Sequence, residues 1–448
     1  MTTWTGPPSL GTTPSTALLT DHYELTGLDA ALRSGVAHHR ATFEVFARHL
    51  PAGRRYGVVA GLARAVDAVA RFRFAEPELS YLRDRGFLSP EALDWLAAYR
   101  FGGDLTGYRD GELHFPYSPI LTVDATFGEG LVLETILLSV LNHDAAIAAA
   151  GSRMVQAAGG RTTIEGGARR THEEAGVAAA LAAAVVGFDV TSNLEAGRRF
   201  GLPTAGTTMH AFTLAHATEA EAFRAQVEAF GPATTFLVDT YDIAEGIRHA
   251  VAAAGPEIGA IRIDSGDLGD EAGKARALLD ELGAPGCQIV VSGDLDEWAM
   301  AELADAPVDR YLLGTRLVTG SGAPTAELVY KLVAVADEPG PDAPLRPVAK
   351  TSAGKGHRGG RKVATRVLDP EGFAVAERVV GPTDHPAPIA GDHVERGLQV
   401  PWLRAGQLVR PFELAAARAH HRAALAELRP EHLDLAPGDA AFTGLQEG

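Results

Sequence analysis

From about residue 160 to residue 314 the chain alternates short apolar runs with helical stretches of ten to fifteen residues, and few architectures accept that period. The strand-like runs fall at 161–165, 187–191, 203–210, 235–239, 260–264, 288–292 and 310–314. Between most of them lie segments rich in Ala, Leu, Glu and Arg with helical spacing, such as 219–230, 243–254 and 271–282. Alternation at this pitch predicts parallel strands joined by helical crossovers. Seven units in so short a span predict an irregular parallel α/β barrel. A doubly wound open sheet is the alternative.

The flanking sequence has a different character. The run LLTDHYELTGLDAAL (18–32) predicts a helix that Thr20 or Asp21 can cap. A strand follows at 41–47, helices occupy 61–100, a β-rich stretch spans 104–124, and a long helix covers 130–150. The expected organisation is therefore a polar tail at 1–16, an α+β domain at 17–150 and the barrel at 151–335. A linker, a basic loop and a C-terminal segment follow at 336–448, and this last part is expected to pack on the N-terminal domain.

Composition narrows the function. Acids outnumber bases by 57 to 40 in the 448 residues, a formal charge of −17. So acidic a surface repels nucleic acid and anionic lipid, and an anionic ligand needs a local basic pocket. The single cysteine, Cys287, excludes an intrachain disulfide framework and a zinc site of several thiolates. No stretch is apolar for the roughly 20 residues needed to cross a bilayer, and 1–16 lacks the pattern of a signal peptide. These features predict a soluble, cytoplasmic protein with no nucleic-acid or membrane partner and no zinc.

Chemistry is concentrated where the predicted strands end. Five successive runs finish in Thr207-Thr208-Met209-His210, Asp239-Thr240-Tyr241-Asp242, Asp264-Ser265-Gly266-Asp267, Ser292-Gly293-Asp294 and Gly314-Thr315-Arg316. That is the carboxyl edge at which parallel α/β folds bind ligands. Any one group, Asp267 or Asp294 for instance, reads by itself as a helix cap. Five together, with a histidine and an arginine among them, predict a site. His210 taken alone reads as a structural residue. Asp239 ends the next run, close enough to orient an imidazole and fix its tautomer, and the pair reads as catalytic.

Gly293 and Gly314-Thr315 are placed to bring backbone N–H groups against a phosphate, although each glycine alone reads as a tight turn. Arg169 and Arg170 supply positive charge, or else a solvated helix start. Two other signals carry less. GKGHRG (354–359) has the spacing of a dinucleotide fingerprint, but a strand-like run follows it where the fingerprint requires a helix. The stretch 350–366 is strongly basic through Lys350, Lys355, Arg358, Arg361, Lys362 and Arg366. It lacks the interleaved aromatics of a nucleic-acid loop and reads as a lid over phosphate.

Taken in order, these segments resemble the nicotinate phosphoribosyltransferase family. The resemblance rests on LTDHYELT (19–26), FEVFARHLP (43–51), EGGARRTH (165–172), GTTMHAF (206–212), VDTYDI (238–243), RIDSGDL (262–268), VVSGDLDE (290–297), LGTRLVTGSGAP (313–324) and VYKL (329–332). It implies an N-terminal domain on an irregular α/β barrel, in a homodimer with shared active sites. The implied reaction joins nicotinate to 5-phosphoribosyl 1-pyrophosphate, giving nicotinate mononucleotide and pyrophosphate in NAD salvage. Mg²⁺ would accompany the pyrophosphate and ATP substrates. ATP hydrolysis would assist through transient phosphorylation of His210, with Asp239 as its partner. The resemblance further implies that Arg262 and Asp264 hold the phosphoribosyl group and that Gly293, Asp294, Gly314 and Thr315 meet the 5-phosphate. Arg169 would face the pyridine carboxylate, and Tyr23 would stack on the ring from the other subunit.

Two positions bear on the base. Relatives carry an aromatic or bulky residue in the EGG segment where this chain has Gly166. Nicotinamide-specific relatives carry an aspartate where this chain has Ser192. A neutral serine does not repel the nicotinate carboxylate, so Ser192 predicts preference for nicotinate. Nicotinamide- or quinolinate-type transfer, and a non-catalytic binding barrel, are the competing readings.

Overall fold

The computed structural model describes residues 15–350, 357–385, 389 and 391–442. It divides into two compact units, with the division falling inside the helix Glu134–Ala158. One unit is made of the described residues up to Ala148 together with those from Thr325 onward, and the other is Ala149–Pro324.

The first unit is built on a seven-stranded antiparallel sheet. Its order is Leu345–Pro347, Leu328–Pro339, His39–Ala47, Leu121–Thr126, Asp104–Gly107, Val400–Arg404 and Gln407–Leu408. Segments from the C-terminal third thus complete a sheet begun near the N-terminus. A core of Leu28, Phe43, Val45, Leu62, Leu96, Leu105, Leu121, Leu137, Tyr330 and Trp402 packs against it. Phe43 and Tyr330, on neighbouring strands, stack with ring centroids 4.9 Å apart.

Three expectations are corrected here. The stretch 337–344 is no linker, because Leu328–Pro339 turns back at Gly340 and pairs antiparallel with Leu345–Pro347. Ser15 and Thr16 are not tail, since Thr16 is buried and donates its hydroxyl to Ala68 O at 2.7 Å. Residues 1–14 lie outside the described residues. The basic stretch is not a free lid either. Arg361 pairs with Asp124, Lys362 with Glu44, Arg366 with Glu377, and Arg358 with Asp384. Their charge is thereby committed to structural carboxylates. Lys355 and the first half of GKGHRG lie outside the described residues.

The second unit carries a curled, all-parallel six-stranded sheet. Its strands are β1 (Thr162–Glu165), β2 (Val190–Thr191), β3 (Thr235–Leu237), β4 (Ala260–Ile263), β5 (Gln288–Val291) and β6 (Arg310–Leu313), in the order β2-β1-β6-β5-β4-β3. Phe236, Ile261, Ile263, Ile289, Val291 and Leu313 are buried, as expected of strands covered on both faces. The helix Glu173–Val186 is buried almost all round, and its alanines allow that close approach.

The run at 203–210, expected as a strand, is not one. It makes a single parallel bridge, Thr191 to Thr204, and ends where the short helix His210–Leu214 begins. This irregular segment stands beside β2 at one end and brings His210 beside Asp239, just past β3, at the other. The fold is α/β, a parallel half-barrel whose open side is spanned by a loop.

Candidate active site

Every strand of the second unit delivers its polar group at the carboxyl end. Asp239 lies two residues beyond β3, with its side chain almost wholly buried. Its Oδ1 is 3.2 Å from His210 Nε2. Its Oδ2 accepts from the Asp264 amide at 3.0 Å and from the Ser265 hydroxyl at 2.7 Å. Three interactions on one carboxylate hold it rigid, so the imidazole has a fixed partner. The His210 side chain itself is 42% exposed and open to a reactant.

The network runs on across the sheet edge. Asp264 Oδ1 accepts a short hydrogen bond from the Ser292 hydroxyl. Ser292 directly precedes Gly293, whose φ of +117° suits only glycine and where an added Cβ would lie 2.9 Å from Asp264 O. The loop after β5 is thus pressed against the loop after β4. Asp294 follows in the left-handed region at φ +47° and is exposed. It does not cap the next helix; Asp296 does, accepting from Ala299 N at 3.0 Å. Asp267 does act as a cap, accepting from Asp270 N at 3.1 Å.

Arg262, on β4, donates from Nη1 to Thr207 Oγ1 at 3.0 Å, and its Nε is buried without a partner. Burial lowers the pKa of this guanidinium, the Asp264 and Asp239 charges oppose that, and Arg169 adds to it. Arg262 and Arg169 therefore share one electrostatic neighbourhood with the two carboxylates. A pair of cations beside an unfilled donor is suited to an anionic ligand.

Arg169 lies on the single turn Ala168–Arg170 after β1; it and Arg170 are exposed. Neither makes an ion pair among the described residues. Gly314 and Thr315 open the turn Thr315–Val318 after β6. Ser192 follows β2, exposed, its amide donating to Glu165 O at 2.8 Å. Tyr23 belongs to the other unit, where it is exposed on the helix His22–Ser34.

Gly166 has a packing reason. A Cβ there would stand 2.7 Å from Leu312 Cδ2, against the neighbouring strand. A larger residue there would have to displace the Leu312 side chain. Gly167 is tighter still, 2.2 Å from Val318 Cγ1.

Sequence reasoning assigned no role to Glu165, Thr207, Gln226, Ser265 or Ser292. Glu165 is buried, with Oε1 accepting from Gly167 N and Oε2 from the Thr191 hydroxyl, both at 2.5 Å. Gln226 is buried and links Thr208 Oγ1 to Thr234 Oγ1 and Thr235 O. All but Gln226 stood inside the motifs quoted above, Ser265 and Ser292 as apparent turn residues and Glu165 and Thr207 within strand-like runs. No group of three or more His, Cys, Asp or Glu side chains able to hold a metal ion occurs among the described residues.

An α/β barrel-type unit with a histidine–carboxylate pair, a second carboxylate and two arginines at the carboxyl edge belongs to the class of α/β enzymes that act on anionic small molecules. Comparison with known proteins gives the family. Residues 18–142 match the model described as the nicotinate phosphoribosyltransferase (NAPRTase) N-terminal domain. The chain is 53% identical over 433 residues to nicotinate phosphoribosyltransferase pncB1 of Mycobacterium tuberculosis (strain H37Rv), covering 95% of this chain and 94% of that protein. It is 36% identical over 333 residues to the nicotinate phosphoribosyltransferase of Bacillus subtilis (strain 168), covering 72% and 68%. The crystal structure of human nicotinic acid phosphoribosyltransferase superposes with a TM-score of 0.79 at 26% identity, covering 94% of this chain and 97% of that one. The chain belongs to the nicotinate phosphoribosyltransferase family. Among the described residues, no helix is long and apolar enough to cross a membrane.

Proposed function

We propose that this protein transfers the phosphoribosyl group of 5-phosphoribosyl 1-pyrophosphate to the ring nitrogen of nicotinate, releasing pyrophosphate, and that it does so in NAD salvage in the cytoplasm. The observation that carries this is the continuous network from His210 through Asp239 and Asp264 to Ser292, which ends at the glycine loop. One network joins a nucleophile, a ribose-facing carboxylate and a backbone cradle for phosphate. Family membership supplies the base and the donor.

Bond breaking at the anomeric carbon builds oxocarbenium character on the sugar, as in glycoside cleavage. The Asp264 carboxylate stabilises that charge and accepts from the ribose hydroxyls. The pyridine nitrogen forms the new C–N bond as the C–O bond to pyrophosphate breaks. Arg262 holds the phosphoribosyl group, and Arg169 holds the nicotinate carboxylate beside a neutral Ser192. Backbone groups of Gly293, Asp294, Gly314 and Thr315 receive the 5-phosphate. Tyr23 would close over the ring from the partner protomer of a homodimer.

Mg²⁺ fits as a companion of the phosphates and poorly as a resident of the protein, because the described residues offer no cluster of ligands. When bound, it supplies positive charge to the leaving pyrophosphate.

ATP enters through His210. With Nε2 turned to Asp239, Nδ1 is the nitrogen left to attack the γ-phosphorus of ATP. The N–P bond forms as the bond to ADP breaks, and hydrolysis later restores the imidazole and yields phosphate. The test follows nicotinate turnover with and without ATP, in wild type, His210→Ala and Asp239→Asn. Wild type gains from ATP and takes up label from γ-labelled ATP; His210→Ala retains only the ATP-independent rate and no label. Equal stimulation of His210→Ala by ATP would overturn the phosphohistidine.

A further inference from the structure

Glu165 ends β1, and its side chain touches neither a cation nor any side chain assigned to chemistry. Its side chain is completely buried, and no ion pair reaches it among the described residues. Burial accordingly pushes its carboxyl above the usual carboxylate range, while the bonds from Thr191 and Gly167 oppose that. A buried carboxylate held only by neutral donors costs stability, which asks for a function.

Its three attachments define one. Oε1 accepts from Gly167 N at 2.5 Å, at the root of the turn that carries Arg169. Oε2 accepts from Thr191 Oγ1 at 2.5 Å. Thr191 Oγ1 in turn accepts from Asn193 N at 3.0 Å, and Asn193 caps the following helix through Ala196 N. The Glu165 carbonyl accepts from Ser192 N at 2.8 Å. One residue therefore holds two loops, the first bearing Arg169 and the second bearing Ser192. The Gly167 amide can only donate, and the Thr191 hydroxyl, which already accepts from Asn193 N, donates to Oε2, so the carboxylate takes two charge-assisted bonds that a neutral group keeps only by reversing the one to Thr191. A glutamine would present its NH₂ to that hydroxyl.

We infer that Glu165 is a positioning residue for base selection: it sets the spacing between the Arg169 cation and the neutral Ser192 floor, so that a planar heteroaromatic carboxylate is taken and its amide is not. The inference rests on the function proposed above and deepens it. The reacting sugar is held from β4, β5 and β6, so loss of Glu165 acts on the base and spares the phosphoribosyl donor.

The experiment measures steady-state constants for both substrates, with nicotinate and with nicotinamide as base, in wild type, Glu165→Gln and Thr191→Val. Glu165→Gln raises KM for nicotinate about tenfold, the order of one lost bond to a charged group. KM for phosphoribosyl pyrophosphate stays within about twofold, and the preference for nicotinate over nicotinamide narrows by about the same tenfold. Thr191→Val retains the carboxylate but removes one donor; it shifts the same two quantities in the same direction, and it stands in for Glu165→Gln should that variant not fold. Glu165→Asp restores neither, because the shorter side chain cannot reach both loops. Unchanged nicotinate KM and base preference in the folded variants would overturn the inference. So would an equal loss toward both substrates, the mark of a merely structural role. Failure of wild type to use either base would instead remove the function on which the inference rests.

Discussion

Gly166 shows how far a single residue can be understood only in place. Its neighbours in sequence suggest a missing aromatic, whereas in the structure the Leu312 side chain of β6 reaches the place where a Cβ would stand. Gly166→Phe should therefore destabilise the fold by about 1–3 kcal/mol through overpacking, read by denaturant unfolding. An unchanged midpoint would mean that the strand yields freely. The same scale explains why Ser265 and Ser292 escaped sequence reasoning. Serines before glycine or aspartate look like turn residues, and their bonds to Asp239 and Asp264 depend on strands adjacent in space. Asp239 was legible because it closes the apolar run of β3, whereas His210 opens a helix and is brought to Asp239 by an irregular segment.

Among elements, those read correctly have a clear period. Strands β3 to β6 sit within a residue or two of the apolar runs at 235, 260, 288 and 310. The segment at 203–210 was misread because its alternation of small and polar residues mimics a strand, yet it finds only one bridging partner. The helix His22–Ser34 illustrates a different point. Glu24 on it is fully buried, accepting from Thr135 N at 2.7 Å, with its second oxygen unpartnered. Burial, with Glu134 adding to it, lifts its carboxyl to about 7. Between the ordinary carboxylate value and about 7 the folded chain retains a proton that the unfolded chain has released. Stability contributed by the neutral form is complete at low pH and falls as pH rises through 7, by about 3 kcal/mol at most. Glu24→Gln should flatten that decline between about pH 4.5 and 7 in chemical unfolding. A slope equal to wild type would show that another group titrates there.

At the scale of the whole molecule, the C-terminal third is the part least legible from sequence. Arg361 and Lys362 meet Asp124 and Glu44, partners 237 and 318 residues away, so local composition suggested a phosphate lid. Arg366 is wholly buried, donating to Glu377 and to Leu113 O at 3.0 Å and lying over the Phe115 ring at 4.9 Å. Arg366→Met leaves Glu377 buried without its cation and should cost about 3–5 kcal/mol of stability. The folded fraction should retain its KM for phosphoribosyl pyrophosphate; a rise in that KM with stability intact would revive the lid. The two units have different duties in this account. The first is assembled from both ends of the chain around an antiparallel sheet, and the second gathers the reactive groups at one edge of a parallel sheet.

The most direct test of the central claim is product formation by the purified protein. It is given phosphoribosyl pyrophosphate and Mg²⁺ with nicotinate or nicotinamide, and the mononucleotide and pyrophosphate are quantified together. The account predicts nicotinate mononucleotide and pyrophosphate in equal amounts, with nicotinamide a poor substrate. Equal or better turnover of nicotinamide would contradict the reading of Ser192 and Arg169, and no turnover of nicotinate would contradict the proposed reaction itself.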